Sequence, residues 1–344
     1  MPGKFRFSFG PWNIHEGADP FGPTVRQSFV FDEKLKVYKD LGFEGVQFHD
    51  DDVVPNIDSM PHSEALEKAK EVKKRLDDLQ LAAEFVAPRL WEDPRTTDGG
   101  YTSNDPAQRK YAVERSERAV ELARAVGCDK IVLWLAREGT YIRESKDAAR
   151  AVGMIVEAIN RMLAADKGIK ILIEPKPNEP MDQAYIPTMG HAVATAYLTS
   201  DPSRVGALME SAHSILAGLD PSDEMAYAIH HKKLWSVHFN DQNGLKFDED
   251  KAFGSVDLRR AFNEVRVLDR NNYGQNGEFV GMDVKAMRTQ KREVSFAHLK
   301  HSKETFLLLL DKVRTFDEAK AAKLIAERNY EDLDQMVLRH LMGK

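Results

Sequence analysis

Apolar residues along this chain follow two alternating rhythms. Short, nearly continuous runs rich in Val, Ile, Leu and Phe lie at Phe5–Phe9, Gly45–Phe48, Ala82–Val86, Lys130–Leu135, Ile169–Glu174, Val205–Met209, Leu234–Phe239 and Glu278–Val284, and read as eight strands. Continuous apolarity suits parallel strands covered on both faces. Between them, segments with helical spacing and abundant Ala, Glu, Lys and Arg lie at Asp32–Leu41, Ser63–Leu79, Asp105–Val126, Lys146–Lys167, Thr188–Leu198, Asp223–His231, Ser255–Asp269 and Ser295–Val313. The Asp105-Pro106 pair opens one of these helices and Gly127 follows its end. Eight strands alternating with eight helices predict an α/β fold, a (β/α)8 TIM barrel, over residues 1–315. An open, doubly wound sheet shares the alternation, but no Gly-x-Gly-x-x-Gly follows a strand. Residues 316–344 form a C-terminal tail in which Ala319–Glu327 and Asp332–Met342 carry apolar residues at helical intervals. A closed barrel has no core slot left for them, so this short helical tail is expected to pack outside the barrel or on a neighbouring subunit.

Charge and composition narrow the function. The 344 residues hold 49 Lys and Arg against 55 Asp and Glu, a net charge of −6, with no basic cluster to follow a phosphate backbone. Nucleic acid is therefore not an expected partner. The longest apolar runs, such as Phe306–Leu310, are too short to cross a bilayer. Met1–Arg6 enters polar sequence at once, without the apolar stretch of a signal peptide, which predicts a cytoplasmic protein. The single cysteine, Cys128, excludes an internal disulfide and a cysteine-only metal site, and reads as a small buried thiol. Any metal here is held by oxygen and imidazole.

The C-terminal ends of barrel strands are where chemistry gathers. Strand 2 ends in His49 and Asp50–Asp52, strand 5 in Glu174 and Lys176, strand 6 in Glu210 and His213; strand 7 ends in His238, with Asp248 and Asp250 following, and strand 8 carries Asp283 and Lys285. A lone Asp after a strand is ordinarily a helix cap, and Asp50 and Asp51 are read that way, as capping or solvated carboxylates. Five strands delivering anionic or imidazole groups to one rim are another matter, because such groups repel unless a cation neutralises them. Mixed carboxylate and imidazole ligands suit Mg²⁺, Mn²⁺ or Co²⁺. Lys176 lies two residues beyond Glu174, on the same side of the strand, and so places an ammonium beside these groups. Trp12, Trp91 and Trp134 fall near the ends of strands 1, 3 and 4, where aromatic faces can stack on the C–H faces of a sugar. Trp235, early in strand 7, reads as core.

These residues resemble the xylose isomerase family. The resemblance rests on Ser8–Trp12, Asp19–Gly22, Phe48–Asp52, Asp98–Thr102, Trp134 with Arg137–Gly139, Ile173–Pro180, Gly244–Asp250 and Asp283, in family order from about residue 5 to residue 290. It implies that His49, oriented by Asp52, opens the cyclic sugar. It further implies two divalent metal ions, the first held by Glu174, Glu210, His238 and Asp283, the second by Glu210, His213, Asp248 and Asp250. Lys176 would hydrogen-bond the oxygen on carbon 1 during a metal-assisted hydride shift between carbons 2 and 1. Trp12 and Trp134 resemble the pocket walls. Phe21 resembles the aromatic residue that family members insert into a neighbour's site, which implies a homo-oligomer, a dimer or tetramer.

This sequence departs from the family in specific places. His238 stands where an aspartate ligand is usual, which lowers the negative charge of the site and favours Mn²⁺ or Co²⁺ over Mg²⁺. Leu135 and Ala136 replace two glycines before Arg137, Glu16 stands where tryptophan is common, and the tail is shorter than the family's arm. The reading is an aldose–ketose isomerase for an unphosphorylated sugar, D-xylose to D-xylulose first and D-glucose to D-fructose second. The competing readings are a ketose 3-epimerase or rhamnose isomerase-like enzyme, a metallo-phosphodiesterase acting on DNA, and a catalytically silent sugar-binding barrel.

Overall fold

A computed structural model describes residues 5–19 and 21–344; Met1–Lys4, from the opening segment, and Pro20, from the Asp19–Gly22 motif, lie outside the described residues. Eight parallel strands form the centre: β1 (Arg6–Phe9), β2 (Gly45–His49), β3 (Ala82–Ala87), β4 (Lys130–Trp134), β5 (Lys170–Glu174), β6 (Val205–Glu210), β7 (Leu234–Phe239) and β8 (Phe279–Met282). They pair in sequence order and close where β1 meets β8, with Phe7 opposite Val280. The barrel expected from the alternation is the barrel found. A helix follows each strand: α1 (Phe31–Asp40), α2 (His62–Asp78), α3 (Pro106–Val126), α4 (Ala148–Ala165), α5 (Met189–Tyr197), α6 (Pro221–His230), α7 (Leu258–Arg270) and α8 (Ala297–Thr315).

Local chemistry sets the helix boundaries. Aspartates at 105, 147, 220 and 257 accept hydrogen bonds from the first free N–H groups of α3, α4, α6 and α7. For α7 that cap moves the start to Leu258, three residues beyond the Ser255 expected from periodicity. Two short helical turns, Asp50–Val53 and Ser211–Leu216, follow directly on β2 and β6 and fall outside the expected elements.

The core has two layers. Phe85, Val132, Leu172 and Leu208 fill the barrel interior below the rim, with Trp12 and Trp235 packed against them. Outside, the aromatic rings of Phe7, Phe9, Phe43 and Phe306 meet edge to face between strands and helices. Cys128 is buried, and burial pushes its thiol up to about 12, as an inert structural thiol requires. The tail forms α9 (Glu318–Ala326) and α10 (Tyr330–Leu341) against the outside of α7 and α8. Glu318 pairs with Arg266 at 2.9 Å, Asp334 pairs with Arg259, and Phe316 packs on Phe262.

Asp50 corrects the expectation of a capping or solvated carboxylate. It is fully buried, and Arg115 of α3 grips it through two nitrogens at 2.7 and 2.9 Å. Asp50 Oδ1 also accepts the backbone N–H groups of Asp51 and Arg89. The pair thus ties the ends of β2 and β3 to α3 beneath the rim. Arg115→Ala leaves a buried charge without its cation and is expected to cost about 3–5 kcal/mol in urea unfolding. A loss below about 1 kcal/mol is the range of an exposed pair and contradicts this role.

Candidate active site

The strand ends bring the acidic and imidazole groups to one cavity of about 240 Å³, lined by Trp12, His49, Trp91, Trp134, Glu174, Glu210, His213, His238, Asp248, Asp250 and Asp283. Glu174 and Glu210 are the last residues of β5 and β6, and His238 is the penultimate residue of β7. His238 Nδ1 lies 3.3 Å from Glu174, 3.4 Å from Glu210 and 3.6 Å from Asp283. His213, from the turn after β6, places Nε2 3.2 Å from Glu210 and 3.3 Å from Asp248. Three groups that could hold a cation share Glu210: with Glu174 and His213, with His238 and Asp283, and with Asp248 and Asp250.

Neutral donors fix the carboxylates in place. Asn240 donates to Glu210 at 2.9 Å and to Asp250 at 3.1 Å. Trp12 Nε1 and Asn13 Nδ2 both donate to Asp283 Oδ1, at 2.9 and 3.1 Å. Asp250 sits at φ 46°, in the left-handed region that aspartate tolerates better than most residues. Its carbonyl is held by the Lys285 N–H at 2.8 Å, and its carboxylate by the half-exposed Lys285 ammonium.

Crowding shifts the titration of nearly every group. Burial pushes Glu210 well above the usual carboxylate range, and Asp283 and Asp248 push it further. Burial and the neighbouring Asp248 raise Asp250 to about 8. Burial also opposes the charged form of Glu174, but His238 and His213 outweigh it and hold that carboxyl low, at about 2. For Asp248, the burial penalty is overcome by Lys176 and His213, leaving it firmly ionised. His213 and His238 are raised despite burial because carboxylates surround them. Two buried atoms of the cluster, His213 Nδ1 and Asp248 Oδ1, have no hydrogen-bond partner among the described residues. Unpartnered buried atoms of this kind in a carboxylate and imidazole set fit a divalent cation.

Lys176 is buried next to this cluster, with Nζ 2.8 Å from Asp248, 3.3 Å from Glu179 and 5.0 Å from the Trp134 ring centre. His49 is flanked by Trp12, 4.2 Å between ring centres, and Trp91, at 5.0 Å. Its Nδ1 lies 3.0 Å from Asp52 Oδ2. Burial opposes ionisation of Asp52, but its hydrogen bond and charge contact with His49 prevail and lower it.

Three features are not apparent from the sequence alone. Arg89 lines the cavity, pairs with Asp51 at 3.0 Å and reaches the same His49 Nδ1. A guanidinium has only donors, so Arg89 and Asp52 favour opposite tautomers of His49. Gln47 and Glu84, buried polar residues inside apparently apolar strands, lie below His238. The one signal for them is a polar side chain interrupting each strand. Glu138, the acid of the Arg137–Gly139 motif, has a bracing position: its carboxylate accepts the N–H groups of Gly100, Tyr101 and Thr102. Phe21 lies 80% exposed against Phe247 and does not line the cavity of its own chain. Trp235 is partly buried against the inner core layer, as expected.

Known proteins share this arrangement of strands. The sequence profile of the xylose isomerase-like TIM barrel family matches residues 35–273. The xylose isomerase of Thermus thermophilus is 33% identical over 334 residues, covering 95% of this chain and 84% of that protein. Xylose isomerase of Thermus caldophilus is 32% identical over 337 residues, covering 96% and 85%. Among solved structures, the 3-keto-D-glucoside 4-epimerase of E. coli superposes with a TM-score of 0.62 at 16% identity, covering 88% of this chain and all of that one. An L-ribulose 3-epimerase gives 0.61 at 16% identity, covering 94% and 98%; both show the shared fold. No helix among the described residues is long and apolar enough to cross a membrane. With its closed barrel, its cluster of acids and histidines at the strand ends and a third of its residues shared with relatives along nearly its whole length, this chain belongs to the xylose isomerase-like TIM-barrel family.

Proposed function

We propose that the chain is a divalent-metal-dependent aldose–ketose isomerase that acts on an unphosphorylated sugar, with D-xylose as the leading substrate and D-glucose as the second. The observation that carries this reading is the Lys176 ammonium, buried and held by Asp248 beside clusters that share Glu210. Glu174, Glu210, His238 and Asp283 would hold one cation, and Glu210, His213, Asp248 and Asp250 the other. When bound, Mg²⁺, Mn²⁺ or Co²⁺ supplies Lewis acidity toward the oxygens on carbons 1 and 2.

The remaining roles belong to the chain. In the tautomer that Asp52 favours over Arg89, Asp52 accepts Nδ1–H of His49, which leaves Nε2 to move the proton between anomeric hydroxyl and ring oxygen as the sugar opens. Trp12, Trp91 and Trp134 wall the cavity and exclude water around the apolar faces of the substrate. In the isomerisation, hydrogen leaves carbon 2 with its electron pair and forms the new bond at carbon 1. The carbon 2 hydroxyl loses its proton, and the oxygen on carbon 1 gains one. Lys176 donates a hydrogen bond to that oxygen and stabilises the charge developing on it. Phe21, exposed on its own chain, is the residue we assign to a neighbouring subunit's site in a homo-oligomer.

A second reading, ketose 3-epimerase, draws on one observation. The histidines hold Glu174 low while burial pushes Glu210 up, and carboxyls driven apart in this way can act as base and acid. Incubation with D-xylose, D-glucose and L-rhamnose in deuterated water, followed by NMR, separates the two. Ketose without solvent deuterium at carbon 1 is expected; extensive deuterium incorporation, or inversion at carbon 3, contradicts the isomerase. Lys176→Met is expected to lower kcat by about 10²- to 10³-fold with metal affinity largely kept. Loss of metal binding in that variant makes the lysine structural instead. Because burial and the neighbouring Asp248 raise Asp250 to about 8, Mn²⁺ binding at pH 7 is expected to release protons into weakly buffered solution. Unchanged pH or proton uptake contradicts that raised carboxyl.

A further inference from the structure

Beneath the rim, four strands contribute polar side chains to one buried network. Glu84 of β3 accepts hydrogen bonds from the Ser8 hydroxyl of β1, from Gln47 Nε2 of β2 at 3.0 Å and from the Ser236 hydroxyl of β7 at 2.7 Å. Gln47 Nε2 has a second acceptor, the Ser8 hydroxyl, at 3.2 Å. On its other side, Gln47 Oε1 lies 3.1 Å from His238 Nε2. Ser8, Gln47 and Ser236 are 0% exposed, and Glu84 and His238 are 2% exposed, so water cannot substitute for a lost partner.

We propose that Gln47 is a positioning residue that fixes which nitrogen of His238 faces the metal-ligand cluster, and that Glu84 in turn fixes Gln47. This inference rests on the metal reading above. Glu84 Oε2, which also accepts the Ser8 hydroxyl, lies 3.0 Å from Gln47 Nε2, so Glu84 turns the amide NH₂ of Gln47 toward itself. The amide carbonyl then faces His238, and an imidazole nitrogen against a carbonyl must carry its hydrogen. With Nε2–H donated to Gln47, the lone pair of the neutral ring is on Nδ1, the atom 3.3 to 3.6 Å from Glu174, Glu210 and Asp283. A flipped amide sets two acceptors, its own carbonyl and Glu84, against each other in a dry interior. It also drives the hydrogen onto Nδ1, where it blocks ligation. A carboxylate ligand needs no such device, because its oxygens carry no ring hydrogen; a histidine in this place does.

The test uses the full chain with ¹⁵N-labelled histidine, loaded with diamagnetic Zn²⁺, and long-range ¹H–¹⁵N NMR. Wild-type protein is expected to show His238 with a slowly exchanging Nε2–H and a metal-bound Nδ1. Gln47→Met, similar in volume but without the acceptor, is expected to lose that protected Nε2–H and to bind Zn²⁺ and Mn²⁺ about 10–100-fold more weakly in calorimetry. Glu84→Gln gives Gln47 a neighbour that can donate as well as accept, and is expected to yield a mixed or broadened His238 signature. An unchanged signature with affinity within about twofold of wild type overturns the inference. If Gln47→Met does not fold, an unchanged His238 signature in Glu84→Gln overturns the inference in its place. Wild-type protein that binds neither ion overturns the metal reading itself.

Discussion

Carboxylates brought together away from water repel one another and resist ionisation, and this cavity, apart from the exposed Glu92 at its edge, gathers five of them: Glu174, Glu210, Asp248, Asp250 and Asp283. Much of the surrounding structure answers that repulsion. Lys176 and Lys285 place ammonium groups on Asp248 and Asp250, and two histidines lie between the acids. Asn240, Trp12 and Asn13 then aim N–H groups at Glu210, Asp250 and Asp283, so that the oxygens are held at set positions without added charge. Even with these partners, Glu210 and Asp250 are driven toward their protonated forms. That residual shortage of positive charge is the physical argument for cations at this rim.

The barrel makes such crowding tolerable. Each acid or imidazole projects from a strand end or the turn beyond it, and every strand is clamped by parallel neighbours on both sides. Below the rim, the grip of Arg115 on Asp50 locks the segment that carries His49, and the Glu84 network locks His238 from inside. The aromatic walls add a second function. Trp12 both closes the cavity beside His49 and donates to Asp283, so the shape of the cavity and the orientation of that carboxylate depend on the same indole.

The fold was legible in the sequence because parallel strands buried on both faces leave uninterrupted apolar runs, and eight of these alternate with helices. The rim was legible for a related reason: the strand ends are fixed by those runs, so Glu174, Glu210 and His238 could be placed together without coordinates. Residues whose meaning depends on partners distant in sequence were not legible. Asp50 looks like any acid in a run of three until Arg115, 65 residues away, appears on it. Gln47 and Glu84 look like blemishes in apolar strands until they meet beneath His238. Arg89 lacked any local pattern, because its contact with His49 is set by how β2 and β3 lie side by side. The start of α7 was misplaced because periodicity cannot show which of several polar residues caps a helix.

Whether this cluster holds divalent cations can be read from anomalous diffraction by crystals equilibrated with Mn²⁺. Two anomalous peaks are expected in the cavity. One lies among Glu174, Glu210, His238 and Asp283, and the other among Glu210, His213, Asp248 and Asp250. Well-ordered crystals with no anomalous peak at these carboxylates would contradict cation binding there.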